Sequence, residues 1–181
     1  MNLIILDRDG VINHDSDTFI KSPDEWIPIE GSLKAIANLN KADWKVAIAT
    51  NQSGLARGLF NEQSLNAIHN KMQTALATFN GHIDYITWCP HGPEENCCCR
   101  KPKPGLYDEV ARHFGCSLKE IPVVGDSMRD LEAAEAVGAN PILVKTGKGD
   151  KTLRTQTLPK GTIIFENLDA VVSALLKCPS Q

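Results

Sequence analysis

The sequence predicts an α/β fold: a central, mainly parallel sheet with helices packed on both of its faces, in three layers. Three observations point there. Short apolar runs rich in β-formers recur along the chain, segments of helical period lie between them, and several of the strand-like runs end in a carboxylate or a hydroxyl. Side chains at the carboxyl ends of strands are where open α/β sheets carry their ligands. The 181 residues fit one domain, 1–181, with a core large enough to need no staples. A net charge of −3 and 6% aromatic residues argue against a nucleic-acid or membrane surface as partner. No apolar run approaches the ~20 residues of a membrane span. Met1-Asn2 leads straight into a strand, so the expectation is a cytoplasmic chain without a signal peptide. Nothing resembles a dimer face, and a monomer is expected.

Strands are predicted at Leu3–Leu6, Val46–Thr50, Ile83–Trp88, Ile121–Val124, Ile142–Val144 and Thr162–Phe165. Helices are predicted between them. Gly31–Leu39 places Leu33, Ile36 and Ala37 on one face, and Glu62–Phe79 repeats Leu65, Ile68, Met72, Ala75, Leu76 and Phe79 at helical spacing. Leu106–Phe114, Met128–Val137 with Gly138 as its C-terminal stop, and Leu168–Leu176 complete the set. Two long connections remain, Asn13–Glu30 and Cys89–Lys103. Neither is long enough for a separate cap domain, so an open-mouthed site with loop-based substrate selection is expected.

Four segments carry chemistry. Leu3-Ile4-Ile5-Leu6 runs into Asp7-Arg8-Asp9-Gly10, and alternation along an extended backbone places Asp7 and Asp9 on one side. A calcium loop of the EF-hand type needs its glycine sixth, whereas here it is fourth. Next, Lys45–Thr50 ends in a hydroxyl followed by Asn51-Gln52-Ser53-Gly54, whose amides suit a phosphate, although an ordinary polar turn has the same composition. Third, Arg100-Lys101-Pro102-Lys103-Pro104-Gly105 presents cations on a stretch that its prolines are expected to hold extended. Fourth, Ile121–Val124 leads through Gly125 to Asp126, with Asp130 four residues on; hard oxygen ligands of this kind suit Mg²⁺, while an N-capped helix is the plainer account.

The cysteines are concentrated. Cys89-Pro90-His91, then five residues, then Cys97-Cys98-Cys99 supplies a compact set of thiolates and an imidazole. Structural zinc takes four such ligands tetrahedrally, and Cys89, His91, Cys97 and Cys99 provide them in two pairs separated by one residue. Adjacent cysteines ligate one ion awkwardly, so Cys98 should point away. Zinc would pin a loop that runs directly into Arg100-Lys101. Cys116 and Cys178 read as inert, and His14, His69, His82 and His113 show no partner pattern.

Taken in order, the four segments resemble the motifs of the haloacid dehalogenase (HAD) superfamily across nearly the whole chain. The resemblance implies a three-layer, Rossmann-like HAD fold without a large cap. It also implies a phosphatase in which Asp7 takes the phosphoryl group as an aspartyl phosphate, while Asp9 protonates the leaving oxygen and then deprotonates water. Thr50 and Lys101 would hold the transferring group. Catalytic Mg²⁺ would be bound by Asp7, the backbone carbonyl of Asp9, and Asp126, with Asp130 orienting Lys101 or a metal-bound water. Asp-Arg-Asp-Gly-Val-Ile-Asn, Thr-Asn-Gln-Ser-Gly-Leu-Ala-Arg-Gly and Cys-Pro-His…Cys-x-Cys-Arg-Lys-Pro-x-Pro-Gly resemble, more narrowly, the D-glycero-D-manno-heptose 1,7-bisphosphate 7-phosphatase family. Such enzymes remove the 7-phosphate during assembly of ADP- or GDP-heptose for lipopolysaccharide and other surface polysaccharides. Histidinol-phosphatases of histidine biosynthesis share the family and its zinc loop, and are the alternative. Asn51, Ser53, Arg57 and Arg100 would contact the sugar phosphate. The His91–Cys97 spacer is shorter than in many relatives, which leaves the preferred anomer open. Lys145-Thr146-Gly147-Lys148-Gly149 lacks P-loop spacing and reads as a flexible loop near the site mouth.

Overall fold

Alternate residues of the first strand serve opposite layers, and the rest of the architecture follows from that division. In a computed structural model that describes residues 1–177, β1 (Asn2–Leu6) buries Leu3 and Ile5 in one apolar cluster and Ile4 and Leu6 in another. Strands buried on both faces are the mark of a parallel sheet covered by helices. Here β1, β2 (Trp44–Asn51), β3 (Tyr85–Cys89), β4 (Pro122–Gly125), β5 (Asn140–Val144) and β6 (Ile163–Phe165) form one sheet in the order β3-β2-β1-β4-β5-β6. Every pairing between these strands is parallel.

Helices α1 (Ser32–Lys41), α2 (Glu62–Ala77) and α6 (Leu168–Lys177) cover one face through Leu33, Ile36, Ile68, Met72 and Val171. The opposite face is closed by α3 (Gly105–Phe114) and α4 (Met128–Ala136) through Leu106, Tyr107, Val110, Ala133 and Ala134. Local chemistry sets the helix ends. Asn61 caps α2 by accepting the Ser64 N–H at 2.9 Å, and Gly115 takes the left-handed conformation that stops α3, with φ +61°.

The chain builds outward from β1 to β3, then crosses to the other side of β1 to build β4, β5 and β6. The carboxyl ends of β1, β2 and β4 therefore converge on a topological switch point. Departures from the predicted elements are local. The third strand begins at Tyr85 rather than Ile83, because Asp84 turns aside to accept the Val46 N–H (2.9 Å) and pair with Lys45 (2.8 Å). A short helix, α5 (Gly149–Thr155), was not predicted; Leu153 is its one large apolar residue, so it carries no hydrophobic period to read. Ahead of it, residues 145–149 are held, not loose: the Thr146 hydroxyl donates to Gly10 O at 2.6 Å and the Lys148 N–H to Asp126 Oδ2 at 2.7 Å. Cys178 lies outside the described residues. No helix is long and apolar enough to cross a membrane.

Candidate active site

Asp7 stands immediately after β1, tied to β4 by its N–H to Val124 O at 2.9 Å. Its Oδ1 accepts the Arg8 N–H at 2.8 Å and meets Lys101 Nζ at 3.1 Å. Among the described residues no hydrogen bond is made to Oδ2, which leaves that oxygen open toward a cavity of ≈ 160 Å³. Lys101 is 2% exposed: Nζ donates to Ala49 O at 2.7 Å and Asp130 Oδ1 at 2.6 Å, and pairs by charge with Asp7. Burial opposes its charge, but Asp130 and Asp7 outweigh that and push its pKa up. Asp130 also accepts the Ser127 N–H (3.1 Å) and hydroxyl (2.6 Å), so one carboxylate caps α4 and fixes the lysine. The N-cap reading of this segment therefore holds, and the same carboxylate is available to Lys101.

Asp9 occupies a different environment. Arg8, fully buried, grips it with two bonds of 3.0 Å, and Asn13 and Gln52 donate at 2.8 and 2.9 Å. Burial alone would raise its pKa; the guanidinium and these donors prevail and hold the carboxyl below its usual range. Behind Arg8 lies His69, 3.3 Å from its Nη1, kept neutral with a pKa near about 3 by burial and by the arginine's charge. Arg8, Asn13 and Gln52 were not among the predicted site residues. The signal for Arg8 was its place between two acids, where a cation has carboxylates on either side.

Thr50, 1% exposed, ends β2 with its hydroxyl accepting from Gln52 Nε2 at 3.0 Å, which leaves its own proton for a ligand. The cavity is also lined by Asn51, Ser53, Arg100 and Asp126. Asn51 engages both ends of its amide with the Lys101 backbone, at 3.1 Å each, and so acts as a clamp on that residue. Arg57 does not line the cavity; it is exposed, with its guanidinium 5.8 Å from the centre of the Phe19 ring. Phe19 does line the cavity, together with Asp15, Ser16, Asp17 and Ile20 from the Asn13–Glu30 connection. That connection is latched by Lys148 Nζ, 3.1 Å from Asp15.

Carboxylate oxygens of Asp7, Asp126 and Asp130 lie within 4.8 Å of one another. Burial, then Asp130 and Asp7, drives Asp126 up to about 8; burial is also the main reason that Asp7 rises to about 6. Such a cluster of acids, short of counter-charge on one side, fits a divalent cation with oxygen ligands. Close approach of two loops makes the pocket: a Cβ on Gly10, at φ +85°, would sit 2.0 Å from Asp126 Oδ2, and one on Gly147 would sit 2.2 Å from the same atom.

The second metal-type cluster lies at the carboxyl end of β3. Cys89 Sγ is 3.6 Å from Cys97 Sγ, 3.1 Å from Cys99 Sγ and 3.6 Å from His91 Nδ1; Cys99 is 3.5 Å from Cys97 and 3.3 Å from His91. With zinc–sulfur bonds of about 2.3 Å, tetrahedral geometry needs edges of about 3.8 Å, so four converging ligands at these spacings fit zinc. Cys98 is exposed and outside the cluster. The next residues do not run extended as expected. Lys103 N–H donates to Arg100 O at 2.9 Å, closing a turn with a cis Lys101–Pro102 peptide. This turn sends Lys101 inward and Lys103 outward to Asn96 (2.6 Å), while Arg100 donates to His91 O at 3.1 Å.

A HAD-hydrolase-like family model matches residues 98–171. The chain is 59% identical to D-glycero-beta-D-manno-heptose-1,7-bisphosphate 7-phosphatase of Bordetella bronchiseptica, over 98% of this chain and 99% of that one. It is 54% identical to the enzyme of the same name from Pseudomonas aeruginosa, over 97% and 98%. Superposition on the crystal structure of D,D-heptose 1,7-bisphosphate phosphatase from B. bronchiseptica, complexed with magnesium and phosphate, gives a TM-score of 0.96 over 98% of this chain and 99% of that chain. With its predicted motifs gathered around one cavity and a near-complete match in length and fold, the chain belongs to the D-glycero-beta-D-manno-heptose-1,7-bisphosphate 7-phosphatase family of HAD-like hydrolases.

Proposed function

We propose that the chain is a Mg²⁺-dependent phosphatase that removes the 7-phosphate of D-glycero-beta-D-manno-heptose 1,7-bisphosphate through an aspartyl phosphate on Asp7. The observation that carries this reading is the state of the Asp7 carboxylate: Oδ1 is anchored by Arg8 N–H and Lys101, while Oδ2 faces the cavity. A nucleophile held by one oxygen keeps the other aligned for in-line attack on phosphorus. The names of the relatives support the heptose bisphosphate as substrate and its β anomer. Such a reaction would serve heptose supply for lipopolysaccharide-type polysaccharides.

Asp7, Asp126 and the Asp9 carbonyl are the ligands assigned to Mg²⁺, which when bound neutralises the acids and the arriving phosphate. Cys89, His91, Cys97 and Cys99 are assigned to structural zinc. Lys101 and the Thr50 hydroxyl orient the transferring group. Asp9 begins ionised, gripped by Arg8; the negative charge of a docked phosphate favours its protonation, so it donates to the leaving sugar oxygen and afterwards accepts a proton from the attacking water. The whole apparatus hangs on one sheet, consistent with one domain over 1–181, working as a monomer in the cytoplasm on a small sugar phosphate.

Phosphate release from both anomers of heptose 1,7-bisphosphate and from histidinol phosphate tests this. The expected result is Mg²⁺-dependent release with the β anomer preferred by about a hundredfold, and Asp7→Asn that retains zinc but falls below about a thousandth of wild-type rate. Turnover retained in Asp7→Asn would exclude the aspartyl phosphate. Preference for histidinol phosphate would exclude the heptose substrate and leave the chemistry standing.

A further inference from the structure

His69 lies on the buried face of α2, where its companions are Leu65, Ile68, Met72 and Leu76. An imidazole at a core position loses its water and needs a hydrogen-bond partner in return. Its partner comes from β1's end of the chain, 61 residues away: Arg8 Nη1 lies 3.3 Å from His69 Nε2. A guanidinium only donates, so Nε2 is the acceptor and the ring proton belongs on Nδ1. Burial and the arginine's charge both keep the ring neutral. The Trp88 ring packs beside it, tilted, with its centroid 5.8 Å away.

The other side of the same guanidinium faces Asp9. Nε and Nη2 bond its two carboxylate oxygens at 3.0 Å each, and Nη1 is left over. Arg8 is fully buried, so Nη1 needs a protein acceptor. A carboxylate at position 69 would draw the arginine's charge away from Asp9, and an apolar residue would leave a buried donor unpaired. A neutral acceptor completes the guanidinium without competing for it. Both Asp9 oxygens are held by this fork, so the direction of the carboxylate follows the plane of the guanidinium. We propose, on the acid–base role given to Asp9 above, that His69 is a positioning residue: by accepting from Arg8 Nη1 it fixes that plane, and with it the direction in which Asp9 meets the leaving oxygen. His69 does not line the cavity and so makes no contact with substrate. Its loss therefore falls on kcat and not on KM, and misplacing a reacting group by about 1 Å costs about a hundredfold.

The test compares wild type, His69→Leu, His69→Gln and His69→Asn on heptose 1,7-bisphosphate with Mg²⁺, with kcat and KM read separately and a thermal melt for each protein. Gln carries its amide oxygen to about the place of Nε2, whereas Asn reaches only about as far as Nδ1. His69→Leu and His69→Asn are expected to lose about tenfold to a hundredfold in kcat with KM within about threefold, and His69→Gln to recover most of that loss. A packing role alone would move Tm and leave Gln and Asn alike in kcat. That result, or His69→Leu within about threefold of wild type, would overturn the proposal. The Gln and Asn pair decides the matter even where His69→Leu does not fold. Asp9→Asn is measured beside them. A wild-type rate in Asp9→Asn would overturn the acid–base role, and this inference with it; an inactive Asp9→Asn beside an unresponsive His69 series overturns the inference alone.

Discussion

Asp7 and Asp9 are two residues apart, yet their environments drive them in opposite directions. Asp7 is raised to about 6, chiefly by burial, with Asp130 and Asp9 adding like charge against Lys101. Asp9 is lowered because Arg8 lies against it, at 3.0 Å through two nitrogens. Under the proposed roles Asp7 must be ionised to attack, so its raised value is one that a bound divalent cation would bring down. Arg8 is thus a positioning residue, and removing it strands a largely buried carboxylate. Arg8→Met should cost about 3 kcal/mol, the scale for breaking a buried ion pair, and lower Tm by about 10 °C in a domain of this size. Differential scanning calorimetry reads this directly; a melt within a degree or two of wild type would show that Arg8 does not hold the pair together. The pairing of Arg8 with Asp9 was the part of this motif the sequence left unread, since alternation along the strand also permits Arg8 to face solvent.

The loop between β3 and α3 shows how a connection without apolar content acquires one shape. Few of its residues bury hydrophobic surface, and converging thiolates and an imidazole do that work instead. Burial, with the hydrogen bonds Cys99 donates to Cys89 and Cys97, pushes the Cys99 thiol up, whereas Cys97 drops to about 7, with the Arg100 and Cys99 N–H groups and thiol contacts outweighing burial. Bound zinc would deprotonate them all. Cys97→Ala should lose zinc, lower Tm and, through His91 and Arg100, raise KM for substrate by about tenfold. Zinc content by metal analysis and steady-state kinetics check this, and undiminished metal would remove Cys97 from the ligand set. The convergence of these four side chains was legible because their spacing is unusual. The tight turn at Lys101 was not, because a proline pair signals a break in the helix without fixing the geometry of that break.

Charge balance at the switch point couples the whole fold to Mg²⁺. In the metal-free protein Asp126 and Asp7 ionise at about 8 and about 6, above their unfolded value of 3.8. The folded state therefore binds more protons than the unfolded one between about pH 4 and about pH 8, and stability falls as pH rises through that window. Mg²⁺ requires the ionised form, so it should raise Tm more at about pH 8 than at about pH 6. Melts with and without saturating Mg²⁺ at the two pH values decide it. Asp126→Asn should flatten the metal-free slope and abolish most of the Mg²⁺ shift. Equal shifts at both pH values would mean that these carboxylates are not what the cation relieves.

Patterning alone fixed the strand and helix layers. Each of the six strands is a short apolar run; β1, β2, β4 and β5 are buried on both faces, which leaves a parallel, helix-covered sheet as the arrangement that hides them, while β6 at the edge stays largely exposed. Motif order along the chain placed Asp7, Thr50 and Asp126 at neighbouring strand ends for the same reason, with Lys101 in the turn before α3. What needed the folded chain were contacts among residues distant in sequence or carrying no period of their own. The Asp9 cradle draws on Arg8, Asn13 and Gln52, Lys101 is locked by Asp130 and Asn51, and α5 exists because residues 145–149 are pinned to Asp126 and Gly10. Such contacts depend on which polar atoms meet after the core closes, and hydrophobic spacing carries no record of that.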